Sequence, residues 1–418
     1  MREERTEVLV AGAGPVGLWS ALLLARAGLE VVVVDREERT TARSYACALH
    51  PGTLRRFEKQ GLAAPLIERG RRVQTVAFYD GAERRAEVRL GEIDGDFPFL
   101  VILPQSALES LLEEELQKAG VPVCWNHRLA DFQQDTRELT ASIEELGGSA
   151  GGYVVPHWGT VVKRTAPVRA QFLIGADGHH SLARQRLGIE SERAAGPFFF
   201  AAYEFEAESA GVDEARVVLD DQTTNVLWPL PGNKYRWTFQ IERPREPDEF
   251  PQKERRAARL AQPEVDERIR QYVRRVAGKR APWFTSGVRA VTWCTEVVFE
   301  HRVARRFGEN RCCLAGDAAH QAGPVGVQSM NLGFAEGESL ATLLRGILRE
   351  DASPATLDGY DTRWQSCLRG LLGLTGGLKP RPETAPWVRS RAGRILPCLP
   401  ALGADLTRLA GQLKLDMP

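Results

Sequence analysis

Residues 7–35 read EVLVAGAGPVGLWSALLLARAGLEVVVVD, and this stretch decides the fold. Residues 8–10 are a short apolar β-rich run. Gly12-Ala13-Gly14-Pro15-Val16-Gly17 then matches G-x-G-x-x-G. Residues 16–27 have the apolar character of a helix, with Gly28 where a helix end favours a left-handed residue. Residues 31–34 form a second buried strand that ends on Asp35. Each glycine has a mechanical task. Gly12 makes the turn, Gly14 lets backbone approach a pyrophosphate, and Gly17 lets helix and strand pack closely. The helix N-terminus offers free N–H groups and a positive dipole end to the phosphates. Asp35 stands where a carboxylate accepts from ribose hydroxyls. Taken alone, the apolar run would also suit a targeting segment or a membrane span. The glycines, the proline, a charged N-terminus and the strand that follows argue against both.

Outward from that unit, 418 residues with 43% hydrophobic and 26% charged content supply a large core and suggest two or more domains. Fifty-five basic and 55 acidic residues cancel, so no electrostatic case exists for nucleic acid or an anionic membrane as partner. Seven scattered cysteines without C-x-x-C form no disulfide framework, and the seven histidines have no metal-ligand spacing. Cys312-Cys313, in an apolar run, is expected to pack as buried thiols. A reducing cytoplasm is the default setting.

Along the chain, a polar loop after Asp35 carries Arg43. Residues 53–60 predict a helix stopped by Gly61, and residues 73–103 predict β-hairpins with turns at Asp80-Gly81 and Asp94-Gly95. Ser106-Ala107-Leu108-Glu109 reads as a capping box opening a helix, with Leu108, Leu111, Leu112 and Leu116 on one face. The glycine-rich stretch 147–152 reads as a flexible hairpin tip. Residues 168–174 predict a strand, and those at 198–205, 217–219, 226–230 and 235–241 predict a separate sheet. A charged helical region at 253–276 is broken by Pro263; strands at 293–299 and 311–314 and a helix at 332–348 follow. Segments of the nucleotide unit thus bracket sheet-forming inserts.

Two further motifs carry a resemblance. Phe172-Leu173-Ile174-Gly175-Ala176-Asp177-Gly178, with Ser181 and Arg184, resembles a "DG" fingerprint. Cys313-Leu314-Ala315-Gly316-Asp317-Ala318-Ala319-His320, then Pro324, Gly326 and Asn331, resembles a "GD" fingerprint. With the N-terminal turn, in this order, they resemble the para-hydroxybenzoate hydroxylase type of FAD-dependent monooxygenases, which includes aromatic polyketide hydroxylases. The resemblance implies an α/β fold: a G-x-G-x-x-G, Rossmann-like FAD domain (1–72, 104–190, 301–370), a substrate-binding sheet domain (73–103, 191–300) and a short helical tail (371–418). It implies FAD held by Gly12, Gly14, Pro15, Val16, Gly17, Asp35, Arg36, Arg43, Gln105, Leu129, Asp177, Gly316, Asp317, Pro324, Gly326 and Asn331. Within that set, Asp317 is expected to accept from a ribityl hydroxyl, and Arg43 to lie near the flavin and the nicotinamide route. Asp177 and His320 are expected to support the fold.

The sequence departs from the family pattern P-x-G-G-Q-G-x-N, because Val327 and Ser329 replace two glycines and Glu336 replaces an aspartate. Val327 is expected to take ordinary φ values on a modified loop path, with Ser329 as helix N-cap. The implied activity is NAD(P)H- and O₂-dependent hydroxylation of an aromatic or polyketide-type small molecule through a flavin hydroperoxide. A Baeyer–Villiger oxygenation, or a non-enzymatic flavin protein that holds an intermediate, are the alternatives. Tyr203, Trp228, Trp237 and Gln240 on the second sheet are the candidates for the substrate pocket, with plain core as the competing role for the aromatics. No catalytic base is assigned.

Overall fold

The computed structural model describes residues 4–40, 47–151, 157–208, 213–242 and 263–417. Three of its strands explain how motifs far apart in sequence meet. Glu4–Ala11 pairs in parallel with Val31–Val34 on one side and with His157–Gly175 on the other, and His157–Gly175 pairs in parallel with Cys312–Leu314. The register sets Ala11 opposite Gly175 and Gly175 opposite Leu314. Parallel strands in register end at one edge, so the 12–17 turn, Asp177 and the Gly316-Asp317 turn emerge side by side. That edge is where open α/β sheets bind ligands. Both faces of these strands are covered, which is why they read as unbroken apolar runs such as Val31–Val34.

The helix Pro15–Arg26 follows the glycine turn, and Gly28 has φ +77° just beyond it. The long helix Gln328–Arg349 lies against it through small residues. A Cβ on Gly333 would stand 2.4 Å from Val16 Cγ2, and one on Gly337 would stand 2.6 Å from Ser20 Oγ. Trp19 Nε1 donates to the Phe334 carbonyl at 3.0 Å, which fixes the two helices in register.

A second eight-stranded sheet runs in the order His320–Gln321, Val288–Ala304, Ser191–Ala207, Lys234–Ile241, Thr224–Pro229, Ala215–Leu219, Thr75–Asp80, Glu83–Arg89. Its pairings are antiparallel except that between Ala215–Leu219 and Thr75–Asp80. One face buries Tyr203, Phe205, Trp237 and Phe239 against the helix Pro263–Arg280, which contributes Ile269 and Val273. The helices Pro386–Ile395 and Gly403–Gln412 make the C-terminal tail.

Several local expectations are corrected. No hairpin forms at Asp94-Gly95. Leu100–Ile102 instead pairs with Ala48–Leu49 and Arg71–Val73 in a separate three-stranded sheet. The capped helix starts at Gln105 with Pro104 as N-cap, so Ser106 lies inside the first turn and makes no cap. The glycines from Gly147 to Gly151 belong to the strand Leu139–Gly151, paired as far as Gly151 with His157; residues 152–156 lie outside the described set. Residues 253–262 also lie outside it, and Pro263 begins a helix, where its missing N–H costs nothing. Cys312 and Cys313 are buried, and burial pushes the Cys313 thiol up to about 12.

Candidate cofactor and substrate site

The three glycines of the first turn have different surroundings. A Cβ on Gly12 (φ +105°) would lie 2.2 Å from the Ala176 carbonyl oxygen, and one on Gly17 would lie 1.9 Å from the Gly12 carbonyl oxygen. A Cβ on Gly14 would meet nothing within 4 Å among the described residues. Gly12 and Gly17 are therefore required by packing, whereas Gly14 borders open space at the helix N-terminus. Gly14 is the N-cap residue, and no side chain among the described residues caps this helix. The amides of Val16 and Gly17 are left for a ligand, and Pro15 has none to satisfy.

Asp35 is half-buried, and its Oδ2 accepts from Ala13 N at 2.6 Å while Oδ1 accepts from Glu37 N at 2.8 Å. The carboxylate thus holds the glycine turn to the end of the second strand, and each oxygen keeps a lone pair for a ribose hydroxyl. Arg36 is exposed and lies 3.7 Å from Glu37. Arg43 lies outside the described residues.

The Gly316 turn (φ +61°) stacks on Val16, whose Cγ2 would lie 3.0 Å from a Cβ on Gly316. Gly316 N donates to Glu336 Oε2 at 2.8 Å. His320 Nε2 lies 2.9 Å from the other oxygen of Glu336, with both side chains fully buried. Burial pushes the His320 pKa down, but the charges of Glu336 and Asp317 outweigh it and hold it above the ordinary value. Glu336 therefore ties the Gly316 turn to His320 from the helix Gln328–Arg349. Asp317 is exposed at the sheet edge, with protein packed around it. The resulting desolvation raises its carboxyl above the usual range against the opposing pull of His320.

Asp177 Oδ2 accepts from Leu182 N at 2.7 Å and Ala183 N at 3.2 Å, capping the short helix Leu182–Arg186; its Oδ1 is buried without a partner among the described residues. Arg184 joins the second motif to the third by donating to the carbonyls of Ala318 (2.7 Å) and His179 (3.0 Å).

The departures in the last motif resolve differently from expectation. Val327 takes φ +51° and ψ +38°, the left-handed region that favours glycine, and forms the N-cap of Gln328–Arg349. This is strained for a β-branched residue. Ser329 does not cap the helix: its Oγ accepts from Ala322 N at 2.8 Å. The loop is held from outside. Gly326 N donates to the Pro397 carbonyl at 3.0 Å, and Gln328 Nε2 donates to the carbonyls of Leu396 and Leu399. His50, which sequence reasoning missed, lies 2.8 Å through Nε2 from the Gly326 carbonyl, and burial drives its pKa down to about 4, leaving a neutral ring that donates there. No motif marked it.

Asn331 is fully buried. Its amide donates to the Ala48 and Val327 carbonyls, and its Oδ1 accepts from His50 N, so its described bonds go to protein backbone. Leu129 is a core side chain. Gln105 donates to Glu109 at 2.7 Å.

On the second sheet, strand alternation separates the four substrate candidates. Tyr203 and Trp237 are fully buried on the face toward Pro263–Arg280 and are core, which corrects their assignment. Trp228 lies on the other face, which borders a cavity also lined by Arg236, Thr238, Trp293, Thr295, Phe299 and, from the nucleotide side, Cys47 and Pro324. Gln240 shares that face by alternation with Arg236 and Thr238, and its Oε1 accepts from Thr224 N at 2.9 Å. The missed signal lay in Lys234–Ile241, where the polar alternates Arg236 and Thr238 mark the cavity face. A charged recess around Arg5, Glu7, Glu30 and Arg169 lies at the opposite ends of the parallel strands.

Two helix N-termini without a side-chain cap among the described residues, one of them beside open space, and the exposed carboxyl of Asp317 converge at one sheet edge. Residues 5–372 match the family model described as FAD binding domain. The chain belongs to this family. It is 30% identical over 359 residues to 6-methylpretetramide 4-monooxygenase of Streptomyces rimosus, covering 85% of this chain and 58% of that one. To para-nitrophenol 4-monooxygenase of Pseudomonas sp. (strain WBC-3) it is 27% identical over 369 residues, 84% of this chain and 81% of that one. The structure of p-nitrophenol 4-monooxygenase PnpA from Pseudomonas putida DLL-E4 superposes with a TM-score of 0.75 at 23% identity, over 98% of this chain and 97% of that one. That likeness shows the α/β fold. No helix among the described residues is long and apolar enough to cross a membrane.

Proposed function

We propose that the protein is an NAD(P)H-dependent flavoprotein monooxygenase that hydroxylates an aromatic or polyketide-type small molecule. The observation that carries this reading is the meeting of three motifs at one strand edge, with a sheet-walled cavity reaching the adjoining loop through Pro324. The monooxygenase names of the relatives support it.

The residues fit FAD. Amides at the N-terminus of Pro15–Arg26 suit the pyrophosphate, Asp35 the adenosine ribose and Asp317 a ribityl hydroxyl. The N-terminus of Gln328–Arg349 suits the pyrimidine edge of the flavin, where its dipole favours negative charge. When bound, FAD supplies electron transfer from NAD(P)H to O₂ and delivery of one oxygen atom to the ring. The protein orients the ring, excludes water and holds the loop still through the tail contacts of Gly326 and Gln328. A cytoplasmic setting accords with this chemistry.

The test is direct. The purified protein should bind FAD and oxidise NAD(P)H faster when a suitable phenol or polyketide is added. One atom of labelled O₂ should appear in the product. Bound, reducible FAD with no label in any product across a broad panel would overturn the reading.

A further inference from the structure

A row of four side chains crosses the cavity face of the second sheet. Trp228 is opposite Arg236, Arg236 opposite Glu204, and Glu204 opposite Trp293. Directly opposed residues share a sheet face, so an ion pair is bracketed by two indoles. Arg236 is 2% exposed and its guanidinium carbon lies 5.6 Å from the centre of the Trp293 ring. Its Nε and Nη2 both donate to Glu204 Oε1, the Nε at 3.0 Å.

Glu204 Oε2 has no hydrogen-bond partner among the described residues, and the Glu204 side chain keeps 12% of its surface exposed. Burying two charges is costly unless their hydrogen-bonding capacity is used. The unused capacity here is a carboxylate acceptor on the sheet face whose Ala202, Trp228, Arg236 and Trp293 line the cavity; Glu204 itself sits between these lining residues.

We infer that Glu204 is the substrate-orienting acceptor of this site and that it selects a neutral aromatic bearing a hydroxyl, not an aromatic carboxylate. The inference rests on the reading of the cavity as the substrate site. A phenol O–H donates to Oε2 in a charge-assisted bond. Arg236 is already neutralised by Glu204, so a carboxylate ligand gains no net attraction and meets a like charge at low dielectric. The same bond shifts electron density into the ring, toward the carbons ortho and para to the hydroxyl. Arg236 acts through Glu204: it fixes which carboxylate oxygen remains open.

Calorimetric titration of the FAD-loaded protein with 2-naphthol, 2-methoxynaphthalene and 2-naphthoate tests this. The naphthol should bind at least about tenfold tighter than the other two, because a site built to bond a hydroxyl rejects analogues lacking it. In Glu204→Gln, which leaves an amide in place of the carboxylate, that preference should shrink to near unity. Equal binding of naphthol and ether by the wild type, tightest binding of naphthoate, or an unchanged preference in Glu204→Gln would each overturn the inference. If circular dichroism shows that Glu204→Gln does not fold, the wild-type series decides alone. Failure of the monooxygenase reading is separate: it shows as absent oxygen incorporation, whatever the order of affinities.

Discussion

Gly14→Ala and Gly17→Ala should separate cofactor binding from folding within one hexapeptide. Gly14 has φ −71° and ψ +179°, which alanine adopts freely, and its Cβ would meet nothing within 4 Å among the described residues. Without cofactor, Gly14→Ala should therefore change stability by less than about 1 kcal/mol, since the small gain from a stiffer unfolded chain offsets the poorer N-cap. The new methyl projects into the space proposed for the pyrophosphate. It would crowd a phosphate off the helix amides, with loss of one charge-assisted bond worth about 1.5–3 kcal/mol. FAD affinity should fall about ten- to hundredfold. In Gly17→Ala the Cβ would sit 1.9 Å from the Gly12 carbonyl oxygen, so backbone must move and the apoprotein itself should lose stability. Denaturant unfolding of both apoproteins and fluorescence titration with FAD measure the two effects. Wild-type FAD affinity in Gly14→Ala would refute the placing of the pyrophosphate. Wild-type stability in Gly17→Ala would refute the close packing of helix on turn.

Asp35→Ala should weaken FAD binding by about 1–3 kcal/mol. Because Asp35 also takes the Ala13 amide at 2.6 Å, the apoprotein should lose stability too, and an unchanged apoprotein melt would count against that tether. Val327→Gly removes left-handed strain of roughly 1–2 kcal/mol, yet it also deletes a buried isopropyl group worth about as much or more and loosens the unfolded chain. A net loss near 1 kcal/mol is expected in denaturant unfolding, and a gain would mean that strain dominates. His320 has a raised folded pKa, so its contribution is fully present below its unfolded value of 6.5 and fades as pH rises through the folded value. His320→Gln should therefore cost more stability at pH 6 than at pH 9, and a pH-independent cost would exclude the charged pair with Glu336. Trp237→Phe should lower the melting temperature without altering substrate KM, while Trp228→Phe should raise KM; the opposite pattern would reverse the two sheet faces.

The first strand, turn, helix and second strand were legible because their determinants are local. Glycines at fixed offsets, an apolar run of helical length and a terminal acid need no distant partner to be recognised. The same holds for Gly28 and Gly61, whose positive φ values of 77° and 70° end helices. The spacing of the other two motifs was equally visible in the sequence. Their meeting was not, because it follows from the parallel register that aligns Ala11, Gly175 and Leu314. What the sequence could not decide were matters of which side and which partner. Tyr203 and Trp237 read like pocket aromatics, but a strand has two faces, and the packing of Pro263–Arg280 against one of them made both residues core. Val327 was expected to avoid positive φ on local grounds. Instead, bonds from the tail at Leu396, Pro397 and Leu399 to its neighbours, together with the Asn331 amide on its own carbonyl, hold it there. Local energies of about 1–2 kcal/mol per residue yield when several distant hydrogen bonds act together. The Arg236–Glu204 pair is the extreme case: 32 residues separate its members, and only the pairing of two strands makes them one group.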